Sequence, residues 1–398
     1  MTAPVIVVGG TYHEYCVEPE SRNLAGSGMR AAALLVSLDH PVTLRTYIDQ
    51  ATAGEAHAVA RGTGVTLVAE QRRTPIRFTY VTPLAHPTVT GSGDEPALEI
   101  DGDLVVSFGL FEGRSSIRAT RLVVDPQHHR LVDCGLAAGH AGHLAVVLNA
   151  REARHLTGAV LSADSGRALI TETGAEVVVV KNGIRGATVI TSGSVEHVGA
   201  HPTRHVWPIG SGDAFTAGFA SAWSRYPDDP VRAAHDASRV AAAYCTTGTI
   251  RITPGTLESI ADALPDREVT VYLAGPFFTL AQRWLINHVR DALQELGVLV
   301  FSPLHDVGIG GDEVAESDLT GLDQCDGVLA LLDNSDPGTL FETGFATRTN
   351  LPVVSYAEHP EDHAWTMLRG TGAEIHADLS TAIYRAGWRA IAAGDPGS

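Results

Sequence analysis

Glu342 lies in the stretch LLDNSDPGTLFETGFA, Leu331 to Ala346, among Gly338, Leu340, Phe341, Gly344 and Phe345. An ionised carboxylate in such company is costly unless it is paired or put to use. Tyr272 precedes a Gly275-Pro276 turn and Phe277 in VYLAGPFF, Asp318 falls in SDLTGLDQCDGVLALLD, and Asp336 opens the helix that would carry Glu342. Gly338 lets backbone come close to a ligand, and a helix start favours a nearby anion. A carboxylate in such a pocket can act as a nucleophile while a second carboxyl group donates a proton. That pair suits cleavage of an N-glycosidic bond. The nucleophile stabilises an oxocarbenium-like sugar and traps it at C1′, and the acid protonates the departing base.

A second stretch, WPIGSGDAFTAGF, sets Asp213 beside a glycine-rich turn that opens a helix. Amides of Gly210, Ser211 and Gly212 would converge on one spot at the helix N-terminus and form an anion hole. Asp213 would then take a proton from a hydroxyl as a γ-phosphate arrives. Taken alone, each stretch also has a plainer interpretation. Glu342 could be a helix carboxylate near an N-terminus, Asp336 an N-cap before Pro337, Tyr272 a core residue, and Gly210 to Asp213 a capped turn.

The elements that must position these groups follow from the apolar pattern. From Pro4 to about Thr253, buried-strand runs such as VIVVGG, RLVVDP, LAVVLNA and EVVVVKNG alternate with the helical segments GMRAAALLVSL, AREARHLTG and GDAFTAGFASAW. Runs without strict alternation, separated by helices, predict a mainly parallel sheet covered on both faces. TPGTLESIADALPDRE predicts a closing helix and a polar connector. After Glu268 the pattern restarts with VTVYLAGP, the amphipathic QRWLINHVRDALQELG, and the strands VLVFSP, GVLALLD and PVVSYA. Leu285, Val289, Leu293 and Leu296 form the expected inner stripe of that helix, with Gly297 as its stop. The chain is therefore expected to be α/β with two domains, residues 1–265 and 266–398. Ligands of open parallel sheets sit at the carboxyl ends of the strands, where Tyr272, Asp318, Asp336 and Glu342 would meet.

Composition narrows the function. Hydrophobic residues make up 44 % and charged residues 19 %, and the formal charge of −18 argues against general nucleic-acid binding. No run approaches the roughly 18 apolar residues of a membrane span, and no basic segment precedes the first apolar run. The four cysteines lack metal-type spacing, and the 18 histidines form no HExxH pair. A cytoplasmic enzyme acting on small molecules, with no membrane partner, is the expectation.

Residues 269 to 368, through YLAGPFF, SDLTGLDQCDGVLALLD and DPGTLFETGFA, resemble the nucleoside 2-deoxyribosyltransferase family and its nucleoside and nucleotide hydrolase relatives. The resemblance implies a flavodoxin- or Rossmann-like domain that needs no cofactor. It implies Glu342 as nucleophile, Asp318 as acid near the base, Tyr272 as the hydroxyl that orients the nucleophile, and Asp336 at the far end of the sugar. Gly275, Pro276, Phe277 and Gly338 would line the substrate. Relatives acting on 5′-monophosphates often carry Ser at the Asp336 position, so Asp336 favours an unphosphorylated nucleoside. The family's late Asn is not evident in HAWTMLRG, which leaves transfer and hydrolysis both open.

Residues 4 to 253 resemble the ribokinase-like (PfkB) carbohydrate and nucleoside kinases. The resemblance rests on IGSGDAFTAGF together with VVGGTYHE, AGSGMRAAALLVSL, VVLNAREARHLTG and VVVVKNGIRGATVI. It implies an α/β/α sandwich in which Asp213 is the base, and Glu14, Gly26 and Arg30 hold the substrate. Asn149 and Glu152 would organise Mg²⁺ through water, while Lys181, Asn182 and Gly183 lie near ATP. Arg30 stands where an Asn is usual, Trp207 where an acid is usual, and KNG replaces Thr-x-Gly. Residues 72–107 would form an unusual lid. Both resemblances imply a homodimer or higher homo-oligomer. The expected function is a bifunctional enzyme of nucleoside metabolism that phosphorylates a nucleoside or ribose-like sugar and cleaves or exchanges an N-glycosidic bond. Two alternatives stand beside it: a glycosidase whose kinase-like domain only binds or senses a nucleoside, and a non-catalytic nucleotide-binding module.

Overall fold

The computed structural model describes residues 4–127, 134–135, 141–158, 163–333, 336–359 and 365–394. The chain forms two compact units. One comprises Met1–Asn182, Gly186–His201 and Trp207–Ala261; the other comprises Gly183–Arg185, Pro202–Val206 and Asp262–Ser398.

In the first unit a large sheet runs, from one edge to the other, through Val195–Val198, Ala187–Thr191, Val177–Lys181, Ala141–Asn149, Ser115–Asp125, Leu98–Phe108, Val5–Val8, Val42–Ile48 and Thr66–Gln71. All these pairings are parallel except the two that attach Ala187–Thr191 and Val195–Val198. Runs such as Val177 to Val180 are buried along their whole length, which is why the sequence shows no alternation there. Gly26–Ser37 and Ser211–Arg225 are buried over most of their residues, so their Ala- and Gly-rich composition is core packing. A Cβ on Gly218 would stand 3.0 Å from the backbone of Ala237 in the neighbouring helix Pro230–Thr247. Glycine at that point lets the two helices approach closely.

Two expectations for this unit change. Residues 72–107 do not form a lid as a block. Leu98–Phe108 is an inner strand of the main sheet. Arg72 is buried, held by Asp49 at 2.8 Å and Glu112 at 3.2 Å. The segment's contribution outside the main sheet is Arg77–Tyr80 and Thr88–Thr90, which join His13–Cys16 and Ser21–Leu24 in a separate four-stranded sheet. The closing helix is only Pro254–Glu258, capped by Thr253 with Pro254 at its first position. None of its residues is buried, so no apolar face extends it.

In the second unit five parallel strands stand in the order Leu299–Phe301, Thr270–Ala274, Gly327–Leu331, Val353–Tyr356, Glu374–His376. Numbered along this unit, that order is 2-1-3-4-5, the flavodoxin-like arrangement, with its switch point between Thr270–Ala274 and Gly327–Leu331. Leu280–Glu295 begins in a capping box between Thr279 and Gln282. Its inner face is Ile286, Val289, Ala292 and Leu293, so the expected stripe turns slightly: Ile286 is buried where Leu285 is only partly so. Gly297 ends the helix at φ +84°, the left-handed region that suits glycine. Pro337–Arg348, capped by Asp336, carries Glu342 at the carboxyl edge of the sheet. His363 and Ala364 of HAWTMLRG lie outside the described residues.

Candidate active sites

The second unit's switch point collects the residues that its sequence singled out. Tyr272, fully buried on the first strand, donates its hydroxyl to Glu342 Oε1 at 2.8 Å, and its ring stacks on Phe301 at 5.5 Å. Burial pushes Glu342 up to about 7; the Tyr272 hydrogen bond opposes this, and the charges of Asp318 and Asp336 add to it. Burial also raises Asp318, whose Oδ1 is buried with no hydrogen-bond partner among the described residues. Burial, then the Glu342 charge, raises Tyr272 far above the usual phenol range, so it stays a donor. Among the described residues no Lys or Arg pairs with Glu342, Asp318 or Asp336.

Asp336 spends one oxygen on its helix start, accepting from Thr339 N at 2.8 Å and Thr339 Oγ1 at 2.9 Å. A Cβ on Gly338 would stand 3.2 Å from that oxygen. Gly275 has a packing reason of its own, since a Cβ there would press on Ile286 and Leu331 at 3.0 and 3.1 Å. Pro276 is buried beside it, and Phe277 is half-buried and stacks on Phe278 at 5.6 Å.

The first unit gathers a different set. Gly210 adopts φ +83° ahead of the helix Ser211–Arg225, and Asp213 lies in its first turn, 8 % exposed. Arg30 Nη1 donates to Asp213 Oδ2 at 2.5 Å, Arg30 Nη2 pairs with Glu14, and Arg30 Nε donates to the Tyr244 hydroxyl at 3.1 Å. Gly210 leaves room for that guanidinium, which fills the space a Cβ would need. Glu14 Oε1 also accepts from the Gly26 amide at 3.2 Å. Burial pushes Asp213 up to about 6; Arg30 opposes the shift, while Asp125 and Glu14 increase it.

Lys181 closes the strand Val177–Lys181 and sends Nζ to Asp125 Oδ2, 2.7 Å away. Asp125 Oδ2 also accepts from Thr216 Oγ1 at 2.8 Å, while Asp125 Oδ1 is buried without a hydrogen-bond partner among the described residues. Burial works against the charged ammonium, but Asp125 and Glu152 outweigh it and raise the Lys181 pKa. Asn149 and Glu152 are engaged in a reciprocal capping box: Asn149 Oδ1 accepts from Glu152 N at 2.8 Å, and Glu152 Oε2 accepts from Asn149 N at 2.7 Å. Burial, then Asp125, pushes Glu152 up to about 7.

Asn182 and Gly183 do not join this cluster. The Asn182 side chain donates to Thr188 Oγ1 at 2.9 Å, inside the turn that leads to Ala187–Thr191. Gly183 groups with the second unit, where a Cβ would stand 2.8 Å from Leu296. Asp125 and Tyr244 were missed in the sequence. Asp125 carried a usable signal, as the last residue of a buried strand at the ligand-bearing edge. Tyr244 carried none, because a helical Tyr 31 residues after Asp213 is indistinguishable from core.

Comparison with known proteins agrees with this division. Residues 124–254 match the family model for pfkB family carbohydrate kinase, and residues 271–386 match the model for nucleoside 2-deoxyribosyltransferase. No curated protein matches the chain in sequence. Among solved structures, phosphofructokinase-2 from Escherichia coli in complex with substrates and products is 14 % identical with a TM-score of 0.50, covering 65 % of this chain and 98 % of its own. A fructokinase double mutant from Vibrio cholerae O395, bound to fructose, ADP and potassium, is 15 % identical with a TM-score of 0.50, covering 66 % and 100 %. At such identity the likeness speaks for the fold. No helix among the described residues is long and apolar enough to cross a membrane. One stretch of the chain therefore matches the pfkB family carbohydrate kinase model and a second, separate stretch matches the nucleoside 2-deoxyribosyltransferase model.

Proposed function

We propose that the second unit cleaves or exchanges the N-glycosidic bond of an unphosphorylated nucleoside, and that the first phosphorylates a hydroxymethyl group of a nucleoside or ribose-like sugar. The observation that carries this is the Tyr272–Glu342 hydrogen bond beside the unpartnered Asp318 oxygen. Glu342 Oε attacks C1′ as the C1′–N bond breaks. The electron pair leaves with the base, which takes a proton from Asp318. Water or an acceptor base then releases the sugar from Glu342. Tyr272 fixes the carboxylate for in-line attack. Three acids with no cation paired to them among the described residues favour a transition state that is itself cationic, and they disfavour a 5′-phosphate. On this reading the glycosidic step precedes phosphorylation, and where water takes the sugar from Glu342 the freed sugar is a fitting acceptor for the first unit.

In the first unit Asp213 takes the acceptor proton, and the amides of Gly210, Ser211 and Gly212 face the transferred phosphoryl group. Mg²⁺ bound with ATP would neutralise phosphate charge. The donor set fits it: the orphaned Asp125 oxygen and the neighbouring Glu152 carboxylate suit a hard cation that completes its shell with phosphate and water. Asn149 serves the cap of its helix. One observation favours a second reading, in which the first unit binds a nucleoside without transferring phosphate. Arg30 already occupies both Glu14 and Asp213.

The test is incubation with a nucleoside panel, with and without Mg-ATP, followed by chromatography for free base and ADP. Glu342→Ala should abolish base release and spare ADP formation, and Asp213→Ala should do the reverse. Base release that survives Glu342→Ala would remove the assignment of the second unit.

A further inference from the structure

We propose that Tyr244 is a positioning residue of the first unit: it bridges the Ile209 carbonyl and the Arg30 guanidinium, and so fixes Arg30 as the counter-ion of one Asp213 oxygen. The proposal rests on the phosphoryl-transfer reading of Asp213 and adds to it the residue that aims the base. The Tyr244 hydroxyl donates to Ile209 O at 2.6 Å and accepts from Arg30 Nε at 3.1 Å. Ile209 immediately precedes the glycine turn, and Tyr244 is 2 % exposed on the helix Pro230–Thr247. Burial pushes the phenol up to about 12, so it stays a neutral donor at the pH of any assay.

Arg30 is thereby held at all three nitrogens. Nε meets Tyr244, Nη2 meets Glu14 and Nη1 meets Asp213 Oδ2. A planar fork gripped in this way keeps one orientation, which neither Lys nor Asn at position 30 would reproduce. The geometry also separates the two oxygens of Asp213. Oδ2 is committed to Arg30, whereas Oδ1 accepts a long contact of 3.4 Å from Gln127 Nε2. Oδ1 is the oxygen left for the acceptor. In the transfer step the acceptor oxygen bonds to the γ-phosphorus and its proton passes to Asp213 Oδ1. The bond from that phosphorus to the bridging oxygen breaks, and the electron pair leaves with the nucleoside diphosphate. Asp213 is faced by Arg30 from Gly26–Ser37, by Glu14 and Tyr80 from the small sheet, by Asp125 and Lys181 from the main sheet, and by Tyr244. Of these groups Arg30 is the one hydrogen-bonded to Asp213 among the described residues. Its placement decides how far the upward push of burial is opposed.

The test is Tyr244→Phe in the full chain, which keeps the ring and removes the bridge. With Mg-ATP and an acceptor that yields ADP, kcat should fall at least about tenfold, the scale of one hydrogen bond to a charged group, while the acceptor KM moves less than about threefold. The wild-type rate should climb with pH through about 6 as Asp213 ionises, and in the variant that limb should move upward. A loosened core also slows turnover, so the variant is combined with Arg30→Asn. Because Tyr244 acts through Arg30, adding Tyr244→Phe to Arg30→Asn should change the rate by less than about twofold. Losses that multiply, or an unmoved limb, would overturn the proposal. A second measurement needs no turnover. In magnetic resonance spectra of the chain labelled at arginine nitrogen, the Arg30 Nε–H, identified by its loss in Arg30→Asn, should exchange slowly with solvent. Tyr244→Phe should speed that exchange at least about tenfold, and unchanged exchange would also overturn the proposal. Slow exchange that depends on Tyr244, in a chain that forms ADP with no acceptor, would remove the transfer reading and leave the bridge from Tyr244 to Arg30 in place.

Discussion

Asp213, in the first turn of its helix, and Glu342, in the middle of its own, both follow parallel strands, and burial lifts both, to about 6 and about 7. Their company differs. Around Asp213 three carboxylates are paired with cations: Arg30 takes Glu14 and Asp213, and Lys181 takes Asp125. Around Glu342 there are Asp318, Asp336 and a neutral Tyr272, and no cation among the described residues. The difference matches the charge each proposed reaction would develop. A phosphoryl group brings negative charge and needs fixed cations and amides. A sugar losing its base becomes positive at C1′ and is helped by acids that nothing else neutralises. A raised pKa alone would not separate the two sites; the neighbouring charges do.

The largest effect that can break this comparison comes from Glu342→Gln. Base release should fall by at least about a thousandfold, the scale of losing a covalent nucleophile. The same change should stabilise the protein at neutral pH. A carboxylate raised from 4.5 to about 7 on folding binds its proton more tightly in the folded chain. Its favourable contribution is complete below about 4.5 and is lost as pH rises toward 7, amounting to at most about 3 kcal/mol. Melting curves at pH 5 and pH 8 check the sign: the Gln variant should gain on the wild type only at the higher pH.

Arg30→Asn is next in size and acts on the other half of the comparison. It leaves Glu14 and Asp213 buried without their shared cation, at a cost of about 3–5 kcal/mol. Under the transfer reading, ADP formation should fall about a hundredfold as the acceptor loses its support. A coupled assay at a temperature where the variant is folded measures it. A rise would mean that Arg30 holds the site shut and would favour the binding-only reading.

Tyr272→Phe should have an intermediate effect. The hydroxyl holds the Glu342 carboxylate down against burial, so its loss raises the Glu342 pKa further. Base release needs the ionised form, and its rate should climb with pH through about 7 in the wild type. In the variant that limb should move upward, with the rate at pH 7 reduced by about tenfold and largely restored at pH 8.5. An unmoved limb would show that the nucleophile's titration does not set it.

The two folds and several elements that carry the candidate residues were legible because they rest on local signals. Buried parallel strands write themselves as Val runs, and Gly210, Asp213 and Asp336 are fixed by turn and helix-start chemistry within a few residues. What the sequence hid is what folding brings together from afar. The Arg30 guanidinium reaches Asp213 across 183 positions, and Lys181 reaches Asp125 across 56. No periodicity encodes such a meeting. For the same reason KNG read as a nucleotide-edge motif of three residues, although Lys181 turns toward Asp125 while Asn182 and Gly183 serve the turn and the packing on Leu296.

The smallest effect sharpens the comparison most, because it changes charge and leaves the helix start intact. Asp336 caps Pro337–Arg348 through one oxygen, and Ser caps about as well. Asp336→Ser should therefore leave melting within about 1 kcal/mol of the wild type. It removes one of three acids, so repulsion of a 5′-phosphate weakens and Glu342, which feels the Asp336 charge, moves down. The ratio of base release from a nucleoside 5′-monophosphate to that from the parent nucleoside should rise by about five- to tenfold, a change of roughly 1 kcal/mol, the scale of one partly screened charge. Competition of the two substrates in one reaction, read by chromatography, measures the ratio directly. An unchanged ratio would mean that the Asp336 carboxylate belongs to the helix cap alone, and that phosphate is excluded, if at all, by something other than the acid excess of the second unit.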